Sequence, residues 1–159
     1  MVEFTCSNKL IDFNTIDTKT LIKGKRSIAA WLNNLIKLEG EEVGFISISF
    51  CSDDHLLKIN KNALQHDYYT DIITFQLNGK NEAIEGDLYI SIDRVKDNAK
   101  ILKISWEEEL RRVIVHGVLH LCGYKDKTKK DTELMRKKEN EYLSLLNNSG
   151  HVSRGTIKK

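Results

Sequence analysis

The chain has 159 residues, 40% of them hydrophobic and 30% charged, a balance typical of a globular domain and too apolar for intrinsic disorder. Its net charge of +2 is too small to indicate a nucleic-acid partner, and its three cysteines form no CxxC pair, which excludes a disulfide framework and a cysteine zinc site. The N-terminus lacks the pattern of a signal peptide and no stretch approaches the roughly 18 apolar residues of a membrane span, so we expect a cytoplasmic protein without a membrane partner.

Hydrophobic periodicity divides the chain into strands and helices. Residues 45–50 alternate apolar and polar side chains, which indicates a half-buried strand, whereas Ile28, Leu32 and Leu35 recur at helical spacing. In chain order, the predicted elements are a strand at residues 2–6, a helix at 18–38, a strand at 45–50, a helix opened by Ser52, strands at 71–77 and 87–92, a helix opened by Asp93, a helix from Ser105 to Gly123, and a helix at 129–146. The last two strands are expected to form a hairpin.

This order of elements predicts an α+β fold, with a roughly four-stranded mixed sheet packed against about five helices. No linker or repeat splits the chain. We therefore expect one domain over residues 1–147, followed by a basic, flexible tail at residues 148–159.

Positive charge is concentrated near the end of the predicted domain. Residues 125–138 carry seven positive and three negative side chains. Two interpretations remain open for this run: a solvated helix face, or a surface that binds phosphate groups.

The segment from His116 to Asp126 carries the most specific chemical signal. On a helix, His116 and His120 differ by about 40° in direction and one turn in height, so both imidazoles can reach one ion. After the turn at Gly123, Asp126 can approach the same face, which gives H-x3-H-x5-D. Three ligands with a fourth position open are typical of catalytic zinc. The alternative, two core histidines, would require a buried partner for each ring.

Other residues near the motif indicate which side chains do not bind the metal and which mechanism is disfavoured. Cys122 lies about 200° around the helix from His120 and is expected to pack away from the site. His55, His66 and His151 are expected to be exposed rather than liganding. Gly117 occupies the position at which an H-E-x-x-H metalloprotease has its glutamate base, so that mechanism is disfavoured.

The sequence resembles the YbeY family of rRNA-maturation endoribonucleases, whose signature reads H-G-x-L-H-L-x-G-Y-D-H. Residues 116–124 match it completely, and residues 70–75 and 86–91 are similar to its T-D-V-L-S-F and G-D-I-x-I-S blocks. The resemblance covers about residues 43–146. It implies a zincin-like α+β domain with the metal site on a central helix, single-strand-specific endoribonuclease activity in maturation of the small-subunit rRNA end, and a role in ribosome quality control.

Two positions depart from the family pattern. The final D-H of the signature is K-D here, so the third ligand becomes Asp126, which is an acceptable zinc ligand. The family's arginine upstream of the T-D-V block aligns with Leu64. Either Lys61, His66 or Arg112 supplies the missing cation, or RNA cleavage is weaker than in the family.

These observations predict one zinc ion per chain on His116, His120 and Asp126, with His116 also catalytic. RNA phosphates would be bound by the cations close to the metal helix: Arg112, Lys125, Lys127, Lys129 and Lys130. The ribosome or its small subunit is the expected partner. Two rivals remain open: a non-catalytic, metal-stapled ribosome-assembly or RNA-binding factor, and a hydrolase of another substrate. Glu139 matches a glutamate of the family, and a helix-surface role for it is equally open.

Overall fold

The computed structural model describes the backbone of residues 10–158 and the side chains of residues 10–147, so the strand predicted at residues 2–6 lies outside the described residues. In chain order its elements are β1 (Ile11–Thr15), α1 (Lys25–Leu38), β2 (Val43–Cys51), α2 (Asp53–Leu64), β3 (Ile72–Gln76), β4 (Ile84–Ser91), α3 (Ile92–Leu102), α4 (Trp106–Leu121) and α5 (Lys129–Lys158). Five helices and a four-stranded mixed sheet confirm the predicted α+β fold.

The sheet has the strand order β1-β2-β4-β3. β1 and β4 each run parallel to β2, whereas β3 pairs with β4 in antiparallel orientation, so the predicted hairpin is confirmed. The inward side chains of β2 and β4, among them Ile48, Phe50 and Leu88, are fully buried and form the centre of the hydrophobic core.

Helix α4 packs on the sheet at closest range where its glycine faces β3 and β4. A Cβ atom added at Gly117 would lie 2.6 Å from Cδ1 of Ile72 and 2.7 Å from Cδ2 of Leu88. Since real Cβ atoms do not approach other atoms so closely, any larger residue at this contact would force the side chains of Ile72 and Leu88 to move. The close approach fixes the height of α4 over the sheet, and with it the position of His116, the preceding residue.

The helix caps show which local predictions hold. Ser52 and Ser105 accept backbone hydrogen bonds from His55 and Glu108 respectively, as expected for N-caps. The cap of α3 was predicted wrongly: Ser91 accepts from the backbone N–H of Arg94, and Asp93 instead accepts from the backbone N–H of Asp53.

The largest differences from the sequence-based expectations concern α1, β1 and α5. α1 begins at Lys25 and not at residue 18, because Gly24 adopts a left-handed conformation with φ 73°. β1 was not predicted, and its five residues form a short edge strand of mixed polarity. α5 continues past residue 146 to Lys158; the flexibility of the tail stays a prediction. Within the described residues no helix is long and apolar enough to cross a membrane.

Candidate metal centre

Three potential ligand atoms meet at one point beside α4. The Nε2 atoms of His116 and His120 lie 3.0 Å apart, and Oδ2 of Asp126 lies 3.3 Å from the first and 3.2 Å from the second. The two imidazole planes are nearly perpendicular, at 85°. Among the described residues this is the one group of at least three metal-ligating side chains whose donor atoms converge.

The partners of the opposite ring nitrogens fix the tautomers of both histidines. Nδ1 of His120 lies 2.9 Å from the backbone carbonyl of Tyr124, which can only accept a hydrogen bond. Nδ1 of His116 lies 2.8 Å from Oε2 of Glu139. Each Nδ1 therefore carries the hydrogen, and each Nε2 presents a lone pair to the other ring and to Asp126.

Two nitrogen lone pairs and a carboxylate oxygen at such distances repel one another unless a proton or a metal ion lies among them. Ligands about 2.1 Å from a tetrahedral zinc ion are separated by about 3.4 Å, close to the 3.0–3.3 Å found here. The orientation of each imidazole by an acceptor on its second nitrogen is also typical of metal-binding histidines. The donor set therefore fits a zinc ion held by three protein ligands.

The turn after α4 brings Asp126 back to the histidines. Gly123 has φ 103°, a left-handed conformation that favours glycine, and its backbone N–H donates to the carbonyl of His120. The N–H of Tyr124 donates to the carbonyl of Leu119. These two bonds form the predicted C-terminal cap and reverse the chain within a few residues.

Tyr124 connects this turn to distant parts of the chain. Its hydroxyl donates to Oε1 of Glu39 over 2.6 Å, and the hydroxyl of Tyr142 donates to the other oxygen of the same carboxylate. Lys138 Nζ lies 3.5 Å from Glu39 Oε2. Glu39 thus ties the end of α1 to the turn and to α5, and holds the Tyr124 carbonyl in place for His120.

Glu139 is the main electrostatic partner of the site. Its carboxylate is only 4% exposed and contacts His116 and Arg112. Burial alone lowers the pKa of His116, but the hydrogen bond and charge of Glu139 outweigh it and raise this pKa. Burial also opposes ionisation of Glu139, yet His116 and the neighbouring arginines hold its pKa below the usual range. The helix-surface role considered for Glu139 is therefore wrong.

A cleft of about 240 Å³ opens beside His116 and Asp126. Its charged walls come from the residue before β3, from α4 and from α5, and consist of Asp71, Glu109, Arg112, Arg136 and Glu139. Burial raises the pKa of both Asp71 and Glu109. Oε1 of Glu109 has no hydrogen-bond donor among the described residues, with Nε of Arg112 4.0 Å away.

A larger cavity of about 580 Å³ between β1 and α1 lacks any such convergence of ligand atoms.

Most of the other predicted site residues lie outside this cleft. Lys125, Lys127, Lys129 and Lys130 are all exposed, and only Arg112 of the predicted RNA-binding cations lines the cleft. Leu64 is 40% exposed at the end of α2, Lys61 pairs with Asp67, and His66 contacts Tyr68.

The remaining thiol and imidazole predictions have mixed outcomes. Cys122 packs against the core, as expected, and burial raises the pKa of its thiol to about 12. His55 is half-buried, not exposed, and the side chain of His151 is outside the described residues.

Sequence reasoning missed Arg136. It was counted only as part of the basic run, although a signal exists: Thr132, Met135, Arg136 and Glu139 share one face of α5 at helical spacing, and all four line the cleft. Asp71, in the T-D-I-I-T-F block, also faces the cleft and was not singled out.

An α+β domain with two histidines on its central helix and a carboxylate from the following turn, beside an open cleft, is typical of metal-dependent hydrolases. The comparisons with known proteins give the family. The family model described as Endoribonuclease YbeY matches residues 9–147, and the chain belongs to this family of RNA-cleaving enzymes.

Individual relatives agree with this assignment. The Endoribonuclease YbeY of Cytophaga hutchinsonii is 50% identical over 129 residues, which are 81% of this chain and 90% of the relative. That of Flavobacterium johnsoniae is 46% identical over 136 residues, 86% of this chain and 96% of the relative. A solution structure from Thermotoga maritima shares the fold with a TM-score of 0.60 at 24% identity, covering 90% of this chain and 93% of that one.

Proposed function

We propose that this protein is a zinc-dependent endoribonuclease that cuts single-stranded RNA in the cytoplasm, in maturation of the small-subunit rRNA end and in ribosome quality control. One observation supports the zinc dependence most directly. The Nε2 atoms of His116 and His120 and Oδ2 of Asp126 lie within 3.3 Å of one another in a cleft, with both opposite ring nitrogens already bonded.

In this proposal His116, His120 and Asp126 hold one zinc ion per chain. A bound zinc ion supplies Lewis-acid chemistry, since it lowers the pKa of a water ligand and polarises a phosphoryl oxygen. Glu139 keeps the ring of His116 in the orientation that catalysis requires. Asp71 and Glu109 are the carboxyls in the cleft that can exchange a proton with the substrate, because burial raises both pKa values.

RNA would be bound mainly through its phosphates. Arg112 lines the cleft, and the exposed side chains of Lys125, Lys127, Lys129 and Lys130 follow the turn after α4. Such contacts make binding depend on salt and almost independent of base identity. Selection of particular rRNA ends then requires a partner, for which we propose the ribosome or its small subunit.

A chelation experiment tests the proposal. The purified protein should lose cleavage of a single-stranded RNA after treatment with a chelator and regain it with zinc. The His116→Ala variant, prepared in parallel, should remain inactive after zinc is added. Equal activity of this variant and the wild type would assign the cleavage to a contaminating nuclease and contradict the proposal.

Leu64 favours a second candidate function. Because it stands where the family has an arginine, the chain could be a ribosome-assembly or RNA-binding factor that keeps the metal for stability and has lost hydrolysis. This alternative predicts bound metal and RNA association without cleavage, so metal analysis combined with the same cleavage assay distinguishes the two functions.

A further inference from the structure

The cleft beside the histidines carries more negative than positive side chains. Asp71, Glu109, Asp126 and Glu139 face Arg112 and Arg136. A phosphodiester that enters this cleft meets four carboxyl groups, and needs a cation beyond the metal to offset them. In the part of the chain that the structure describes, the two arginines are the only lysine or arginine side chains in the cleft lining.

Arg112 makes two hydrogen bonds within the protein and has a further carboxylate nearby. Its Nη1 lies 3.3 Å from Oε1 of Glu139 and 3.0 Å from Oδ1 of Asn140, and its Nε lies 4.0 Å from Oε1 of Glu109. Its side chain is 23% exposed. A guanidinium that is hydrogen-bonded to Glu139 and Asn140 neutralises the buried carboxylates around it, and its Nη1 would have to leave these partners to bind a substrate.

Arg136 differs from Arg112 in both exposure and contacts. Its side chain is 60% exposed, and its closest ion-pair contact is Nη1 to Oε1 of Glu139 at 3.7 Å, beyond hydrogen-bond range. A guanidinium carries five N–H donors in a planar fork that matches two phosphate oxygens. Arg136 therefore has its donors available at the rim of the cleft.

The helix places this guanidinium in the lining of the same cleft as the histidine ligand. Arg136 is one turn before Glu139 on α5, and Glu139 is bonded to the ring of His116. Lys61 and His66, the other substitutes considered for the family arginine, do not line the cleft.

We propose that Arg136 is the phosphate-binding residue of this cleft, and that it takes the role left open by Leu64. Its guanidinium binds the non-bridging oxygens of one RNA phosphodiester next to His116 and Asp126. The cleft volume of about 240 Å³ lies below the ~300–1,000 Å³ of typical small-molecule pockets, which suits a single phosphate and its sugar. The inference rests on the proposed endoribonuclease function and adds the residue that holds the substrate.

Lys137 provides a matched control. It carries the same charge, is also exposed, and adjoins Arg136 in sequence, but it points about 100° away around α5 and does not line the cleft. If the two residues only attract RNA through their charge, substituting either one should lower activity on RNA equally. If Arg136 contacts a phosphate, only its substitution should do so.

The test compares Arg136→Ala, Arg136→Lys and Lys137→Ala with the wild type on a single-stranded RNA oligonucleotide. We expect kcat/KM to fall roughly 10–100-fold in Arg136→Ala, as for the loss of a hydrogen-bonded charge contact. Arg136→Lys should keep part of the activity, because it retains the charge without the fork. Lys137→Ala should match the wild type. The slope of log affinity against log salt should decrease by about one in Arg136→Ala alone.

Three outcomes would overturn the inference. If the wild type cleaves RNA and Arg136→Ala equals Lys137→Ala, the phosphate contact is wrong and the proposed function stands. If Arg136→Ala loses bound zinc, the arginine acts on the metal site through Glu139 and not on the substrate. If the wild type neither cleaves nor binds RNA, both proposals fail. If the wild type binds RNA without cleaving it, the RNA affinities of Arg136→Ala and Lys137→Ala replace kcat/KM in this comparison.

Discussion

The two sides of α4 lie in contrasting environments. On one side Gly117 packs against Ile72 and Leu88 of the sheet, so closely that a methyl group would push against both side chains. On the other side, one residue earlier, the side chain of His116 is 25% exposed in the cleft and depends on Glu139 of α5 for its orientation. Packing determines the structure on the sheet side, and polar contacts determine it on the cleft side. Substitutions on the sheet side should therefore lower the stability of the fold, whereas substitutions on the cleft side should lower its affinity for metal.

The largest effect is expected on the cleft side, for His120→Ala. Loss of one of the three proposed ligands should reduce zinc affinity by more than about 100-fold, beyond the range for residues that only orient a ligand. The free energy of unfolding of the metal-free protein should fall by about 1 kcal/mol at most, the worth of the bond to the Tyr124 carbonyl. Zinc titration and urea unfolding measure the two quantities. The exposed His66→Ala serves as control, and equal zinc affinity of both variants would contradict the metal centre.

Glu139→Gln should have the next largest effect. The amide can still accept from Nδ1 of His116, but it removes the negative charge that stabilises the ring. We expect zinc affinity to fall by about 10–100-fold. Glu141→Gln makes the same change on an exposed residue of the same helix and should leave the affinity unchanged. A zinc affinity within twofold of the wild type in Glu139→Gln would show that packing alone orients His116.

On the sheet side, Gly117→Ala should destabilise the fold and spare the ligands. The new methyl group would overlap Ile72 and Leu88, and such overpacking costs typically about 1–3 kcal/mol in the free energy of unfolding. Urea unfolding should show this loss, while the folded variant should still bind one zinc ion per chain. Gly79→Ala, where the nearest obstacle is the flexible side chain of Glu82, is the control. If Gly117→Ala had normal stability but no longer bound zinc, the proposed difference between the sheet side and the cleft side would be wrong.

Tyr124→Phe should give the smallest change. It removes the hydroxyl that donates to Glu39, and Glu39 keeps Tyr142 and Lys138 as partners. We expect a loss of about 1 kcal/mol in the free energy of unfolding and a reduction of zinc affinity by less than about tenfold, since the Tyr124 carbonyl remains present but is less firmly held. Tyr68→Phe, at an exposed tyrosine, controls for the loss of a hydroxyl. A larger loss of zinc affinity than in Glu139→Gln would show that the Tyr124–Glu39 bond matters more for the metal site than Glu139 does.

Features that depend on neighbouring residues could be predicted from the sequence. The helical spacing of His116 and His120, the caps at Ser52 and Ser105, and the turn at Gly123 depend on a few neighbouring residues, so their prediction succeeded. The β3–β4 hairpin is equally local.

The features that sequence reasoning missed depend on distant contacts or on backbone detail. Glu139 meets His116 across 23 residues, and β1 is stabilised only by pairing with β2, more than 30 residues later. The start of α1 was misplaced because the left-handed conformation of Gly24 has no signal in hydrophobic periodicity. Arg136 was hidden in a basic run, since composition does not show which charges of a helix face a cleft.

The contacts of Glu39 have a consequence for the order of folding. Its carboxylate joins hydroxyls that lie 85 and 103 residues further along the chain, so loop closure over most of the domain must precede these bonds. The bond from Tyr124 to Glu39 forms only when α1 has docked against the turn that precedes Asp126. We therefore expect the refolding protein to gain the last part of its zinc affinity, less than about tenfold, only after α1 has docked, so that full zinc affinity reports completed folding rather than the formation of α4.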